Sequence, residues 1–249
     1  MVSEPTIAPK GNGLNTALDI IASPSDAFAR LRVVPTWGWA FLIAAVLGIV
    51  GSFLGAAASE HAVITSIPIA DAKSATISAM PADQRQKMIE NQIGFAKAIG
   101  KFNFVLVPIG VLFIALLQSV YLLILNAATR GQGNFKKFWA LAINISIVGI
   151  GLSALILGII ELIRGPEAFN SLADVYGALP SLVWIVPGTT GFVHGFLTNF
   201  SVFNLWATGL FALGLVAIAR IKPTQAYIGT AIMLLIGGLL SGGLAMSQG

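Results

Sequence analysis

Few side chains in this chain could move a proton, hold a metal or attack a carbonyl, and those few are scattered. There is no cysteine, which removes thiolate nucleophiles, thiolate metal sites and disulfides together. The two histidines, His61 and His194, fall in different loops. His194 lies in GTTGFVHGFLTN, where Gly188, Gly191 and Gly195 allow a tight path. A metal or pigment would need further ligands beside it, so the expected role of His194 is that of an interfacial, hydrogen-bonded side chain. No HExxH, GxSxG or P-loop pattern occurs. Glu161 precedes Arg164 by one helical turn, which predicts a local ion pair. The expectation is a chain with no enzyme activity, no metal site and no cofactor.

The remaining candidates are neutral: Gln118, Asn126, Asn144, Ser146, Ser153 and Asn204 sit within apolar stretches. Gln118 lies nine residues before Ala127 in a stretch running one way, and Asn144 six residues after Phe138 in the next, running back. At about 1.5 Å per residue the two depths differ by only about 5 Å. The expectation is a hydrogen bond between Gln118 and Asn144 across antiparallel helices, worth roughly 1 kcal/mol. The other reading is contact with a polar substrate.

The elements that must position these groups are five long apolar stretches over residues 37–58, 102–128, 138–163, 200–219 and 227–246, none with a charge in its middle. Each is long enough to cross a hydrocarbon core about 30 Å thick. The composition agrees, with 56% hydrophobic and 10% charged residues, where soluble domains carry about 25% charged. The fold class expected is all-α: a polytopic membrane protein with a cytoplasmic amphipathic segment over 1–36 and a five-span bundle over 37–249. Loops 59–101 and 164–199 lie outside. Uncharged span centres argue against proton relays and ion paths, which need intramembrane carboxylates or bases.

The net charge of +4 could suggest nucleic acid, but the bases alternate by side of the spans. Lys10, Arg30 and Arg32 precede the first span; Arg130, Lys136 and Lys137 follow the second; Arg220 and Lys222 follow the fourth. In loop 59–101 five bases are mixed with Glu60, Asp71, Asp83 and Glu90. The positive-inside rule then places the N-terminus in the cytoplasm and the C-terminus outside, with no nucleic-acid partner. The first residues lack the pattern of a cleaved signal peptide, so the first span is expected to stay as an anchor.

Before that span, Leu14, Leu18, Ile21 and Ala22 recur at helical spacing, and Pro24, Ser25 and Asp26 open a second helix whose apolar face is Phe28 and Leu31. This predicts an interfacial segment with Arg30 and Arg32 at headgroups and Trp37 and Trp39 in the aromatic belt. In the first outer loop, Pro81 opens a helix with an apolar stripe of Met88, Ile89, Ile93, Ala96 and Ile99. In the second, the ten residues ALPSLVWIVP are too short to span and predict interfacial or re-entrant placement. Gly51 with Gly55 and Gly238 with Gly242, the latter extended by Ser241 and Gly243, form small-xxx-small faces. Such faces pack helices within a chain, or receive another subunit or a lipid.

The opening IIASPSDAFARLRVVPTWGWAFLIAAVLGIVGSFLG and the later SVFNLWATGLFALGL resemble bacterial-type Yip1-domain proteins, the second through Val202, Phe203, Asn204, Leu205, Trp206, Gly214 and Leu215. The resemblance implies a non-catalytic membrane protein that organises membrane or binds lipids and protein partners, itself included. Eukaryotic relatives bind Rab-type GTPases through a motif before the first span. The nearest likeness here, DVYGALP, falls in the outer loop over residues 174–180, so no residue inherits that role. Two alternatives stand beside this reading. One is a small permease or channel for a neutral solute, lined by Gln118, Asn126, Asn144 and Asn204. The other is an accessory subunit of a larger membrane complex. High Ala and Gly content without Cys points to a bacterial inner membrane.

Overall fold

The structure, a computed structural model, describes residues 12–73 and 75–246; Lys10 and the start of the amphipathic segment lie outside these. Helix α1 (Gly13–Ala22) opens where the Asn12 side chain accepts from the Leu14 N–H. Helix α2 (Pro24–Val33) opens on Pro24, whose fixed φ suits a first turn and whose missing N–H costs nothing there. The two form a hairpin. The Arg30 guanidinium pairs with Asp19, and its Nε donates to Thr16 Oγ1 at 3.2 Å. Arg30 is thus tied into the hairpin and half-buried, while Arg32 stays exposed.

Phe28 and Leu31 are buried as their spacing predicts, but the buried side of α1 is Thr16, Ala17 and Ile20. Leu18 and Ile21, read from the sequence as one stripe, are 53% and 39% exposed. The hairpin therefore has two apolar sides, one against protein and one facing out. Arg30→Gln is expected to loosen it by about 1 kcal/mol, the pair being only partly buried. Faster proteolysis within residues 12–34, with the rest of the chain resistant, would register the change.

Helix α3 (Gly38–Leu54) and helix α4 (Ala56–Lys73) meet at Gly55 with a bend of 60°. The first apolar stretch therefore stops being one straight helix at Leu54, four residues before its expected end. Gly55 ends α3, and the chain continues at an angle as α4, which packs against α6 and α10. Helix α5 (Ala75–Ser78) and helix α6 (Ala82–Lys101) complete this outer loop. Helix α6 lays Met88, Ile89, Ile93 and Ala96 half-buried on its α4 side, with Lys97 Nζ 3.0 Å from Glu60. Ile99, the last member of the expected stripe, is exposed.

Helix α7 (Asn103–Thr129) returns to the basic end, where Arg130 takes a left-handed cap at φ 56°. Helix α8 (Phe135–Ser146), a π-helical segment (Ile147–Leu152) and helix α9 (Ser153–Arg164) form one continuous span. After the short helix α10 (Leu172–Tyr176), helix α11 (Gly191–Thr198) precedes helix α12 (Val202–Ala219). Helix α13 (Pro223–Met246) ends the described chain. Among the described residues there is no β-strand; one isolated bridge joins Ser181 to Ser201. The chain is an all-α polytopic membrane protein: among the described residues four helices are long and apolar enough to cross a membrane, and five if the bent α3–α4 pair counts as one span.

The main core lies toward the basic end, where Phe28 and Leu31 of the hairpin meet Phe138, Leu141, Ile145, Phe211 and Leu215. A smaller core at the other end gathers Ala58, Ala62, Phe169, Val175 and Ala178. Outward-facing Leu42, Val46, Phe53, Phe113, Leu117, Leu235 and Leu239 stay exposed along α3, α7 and α13, as a lipid-facing belt requires.

Candidate functional site

Both glycine faces are consumed inside the chain. A Cβ on Gly51 would stand 2.2 Å from the Ala154 carbonyl oxygen, and one on Gly158 would stand 2.1 Å from that of Gly51. Helices α3 and α9 thus touch backbone to backbone, which only glycine permits. Glu161 closes this contact. Its carboxylate lies over Gly55, where a Cβ would collide with it, and its Oε1 accepts from Ser59 Oγ at 3.0 Å. The ion pair expected with Arg164 is replaced by this inward bond. Glu161 is only 4% exposed, because its place on the helix points at α3 rather than along the surface.

On α13, Gly238 lies against the rings of Phe196 and Phe200, and Gly242 against Phe192. The partner of this face is therefore α11, a helix too short to cross a bilayer. It runs beside α13 from Phe192 at Gly242, through Gly195 at Ser241, to Asn199, whose Nδ2 donates to Leu234 O at 3.0 Å. Helix α11, the break at residues 199–201 and α12 together make a discontinuous helix beside α13. The bridge from Ser181 to Ser201 and the bond from Val202 N to Pro180 O, 3.0 Å, pin that break. His194 anchors the approach, with Nδ1 3.2 Å from Thr189 O and Nε2 3.1 Å from Ala173 O.

Below the break a cavity of about 250 Å³ opens between α7, α8 with its π segment, α12 and α13, near the middle of each long span. Its polar lining is Gln118, Ser146, Asn199, Asn204 and Thr208. Asn204 Nδ2 donates to Asn199 O at 2.9 Å, Thr208 Oγ1 to Asn204 O at 2.7 Å, and Ser146 Oγ to Ala142 O at 2.9 Å. Gln118 Oε1 is buried with no hydrogen-bond partner.

The expected bond between Gln118 and Asn144 does not form. Asn144 Nδ2 donates to Thr36 O at 2.8 Å and to Ala140 O at 2.7 Å, and its Oδ1 is buried without a partner. Depth fixes only height along a helix. Gln118 faces Ile145 and Ser146, and the latter stands about 200° around the helix from Asn144. Asn126 is also elsewhere: its Oδ1 accepts from Gly133 N at 2.9 Å and closes the α7–α8 turn. Of the four residues proposed to line a solute path, the structure brings together Gln118 and Asn204 alone.

Of the site's other polar members Ser146 was read as a neutral candidate, while Asn199 and Thr208 were missed. Asn199 lay outside the expected fourth span, although FLTNFSVFN carries two asparagines around a serine, a break signal in an apolar run. Tyr121 also went unread; its Oη donates to Gly229 O at 2.6 Å, holding α7 to α13 below the cavity. Tyr121→Phe is expected to lower stability by about 1 kcal/mol, the worth of one hydrogen bond, in unfolding by sodium dodecyl sulfate from mixed micelles. At the basic end, Trp37 packs edge-on against Phe41 and Trp139 while remaining 40% exposed, and Trp39 is 50% exposed.

A sequence model of the Yip1 domain matches residues 18–244, nearly the whole described bundle. The chain is also similar to a Bacillus subtilis membrane protein, YknW, at 27% identity over 228 residues, covering 90% of this chain and 88% of that one. No solved structure matches it.

Proposed function

Because the chain belongs to the Yip1 domain family, we propose that it is a non-catalytic bundle that organises its membrane and binds lipid or protein partners. The observation that carries this reading is the two-sided hairpin. Ala17, Ile20, Ala27, Phe28 and Leu31 dock it on the bundle, while Leu18, Ile21, Val33 and Val34 remain exposed beside Arg32, Trp37 and Trp39. A docked amphipathic element with basic and aromatic neighbours suits the interface of an anionic bilayer. The basic turns at Arg130 to Lys137 and Arg220 to Lys222 support a cytoplasmic N-terminus, in the inner membrane of a bacterium. With both glycine faces occupied internally, partners or a second copy would be received on this exposed side.

Native mass spectrometry of gently extracted membranes tests the reading. The chain should travel with bound anionic lipid or a defined partner set, and Leu18→Asp with Ile21→Asp should strip them. A chain that travels bare in both forms overturns it. The second reading, a permease for a neutral solute, rests on Gln118 and Asn204 sharing a cavity. Solute flux into proteoliposomes, abolished by Asn204→Leu, would favour it over the first.

A further inference from the structure

The cavity below the helix break has a ligand chemistry of its own. Its polar side chains have spent part of their protons: Asn199 one on Leu234 O, Asn204 one on Asn199 O, Ser146 its own on Ala142 O and Thr208 its own on Asn204 O. The Ser146 and Thr208 hydroxyls therefore have only lone pairs left to offer. Gln118 adds a buried oxygen with no donor, and a polar atom left unpaired in a low dielectric is unfavourable until something donates to it. No charged side chain lines the cavity, so neither a phosphate nor an ammonium would find a counter-ion there.

Helices α7 and α13 touch through Tyr121 and Leu125 at Gly229 and supply two of the cavity's walls, Ile114 and Gln118 on one and Met233, Leu234 and Gly237 on the other. The cavity is not enclosed, and its volume is about 250 Å³. That is room for a small head and the first carbons of a chain whose remainder stays in the bilayer.

We propose that this cavity binds the head of a neutral lipid bearing a free hydroxyl, which enters between α7 and α13 and donates its O–H to Gln118. A diacylglycerol and a prenol share this chemistry, so both serve as probes. The full chain is placed in phosphatidylcholine nanodiscs doped with dioleoylglycerol, with farnesol, or with the methyl ether of either, and retained lipid is read by native mass spectrometry. One equivalent of a hydroxyl lipid should be retained, its ether at least tenfold less. Gln118→Leu should reduce retention of the alcohol at least tenfold and Arg164→Gln, at the exposed end of α9, should not. Preference for one of the two alcohols identifies the source and supports the assignment. Equal retention of alcohol and ether overturns it, and so does retention of neither alcohol, which would leave a cavity filled by water only. The comparison of alcohol with ether is made on the unsubstituted protein, so it stands even where a variant fails to fold.

Discussion

Gly51→Ala is expected to destabilise the bundle by about 3 kcal/mol, a large effect for one methyl group. The added Cβ would lie 2.2 Å from the Ala154 carbonyl oxygen, 2.4 Å from its carbon and 2.6 Å from the Leu155 nitrogen. All three are backbone atoms, so no side chain can rotate away. The only relief is to separate α3 from α9, which also undoes the reciprocal contact of Gly158 with Gly51 and lifts the Glu161 carboxylate from its seat between Gly55 and Ser59. Gly110→Ala, on an open face with nothing within 4 Å of the new carbon, should be neutral within about 1 kcal/mol. Unfolding of both variants in mixed dodecyl maltoside and dodecyl sulfate micelles makes the comparison. Equal midpoints would show that the two helices are not in backbone contact.

The second large effect is expected from Gly242→Leu. Even a first side-chain carbon there would approach the Phe192 ring to 2.8 Å and the Phe192 carbonyl oxygen to 2.9 Å, so a leucine must push α11 off α13. With α11 goes the anchorage of the preceding loop, since His194 holds Thr189 and Ala173, and the break at Ser201 holds Pro180 and Ser181. Chymotrypsin cleavage after Tyr176 or Trp184 should accelerate about tenfold or more, because cutting requires local opening. The mass of the native assembly should not change, since the face altered is already covered by the chain's own helix. Loss of an oligomer with an unchanged cleavage rate would instead place Gly242 in an interface between subunits.

The crossings were legible because length and the absence of charge are properties of a segment by itself. The partner of each face was not, because that depends on rotation about the helix axis and on what else is present. Gln118 and Asn144 share a height but look in different directions. Gly238 and Gly242 lie against an eight-residue helix that no span criterion could detect. Glu161 looked like a surface partner for Arg164, since helical spacing makes those two neighbours. It faces inward because Gly55 leaves an empty seat opposite, and a missing side chain on another helix is invisible from the acid's own segment. The cavity was half legible: its asparagine in the fourth span was noticed, but Asn199 lay across a break that apolar composition conceals.

One consequence of the π-helical segment over Ile147–Leu152 concerns insertions and deletions. A π turn accommodates one residue more than an α turn, and each residue is worth about 100° of rotation. The wide turn absorbs that residue locally, so the third crossing keeps one side toward α3 along its length. Asn144 is aimed at Thr36 before the wide turn, Gly151 at Ala44 within it, and Gly158 and Glu161 at α3 after it. Removing a single residue from 147–152 should restore regular hydrogen bonding and leave Gly158 and Glu161 near their seats, whereas a deletion elsewhere in the span would turn them away. Among related chains, then, a one-residue gap is expected within this turn and not in the helices that flank it.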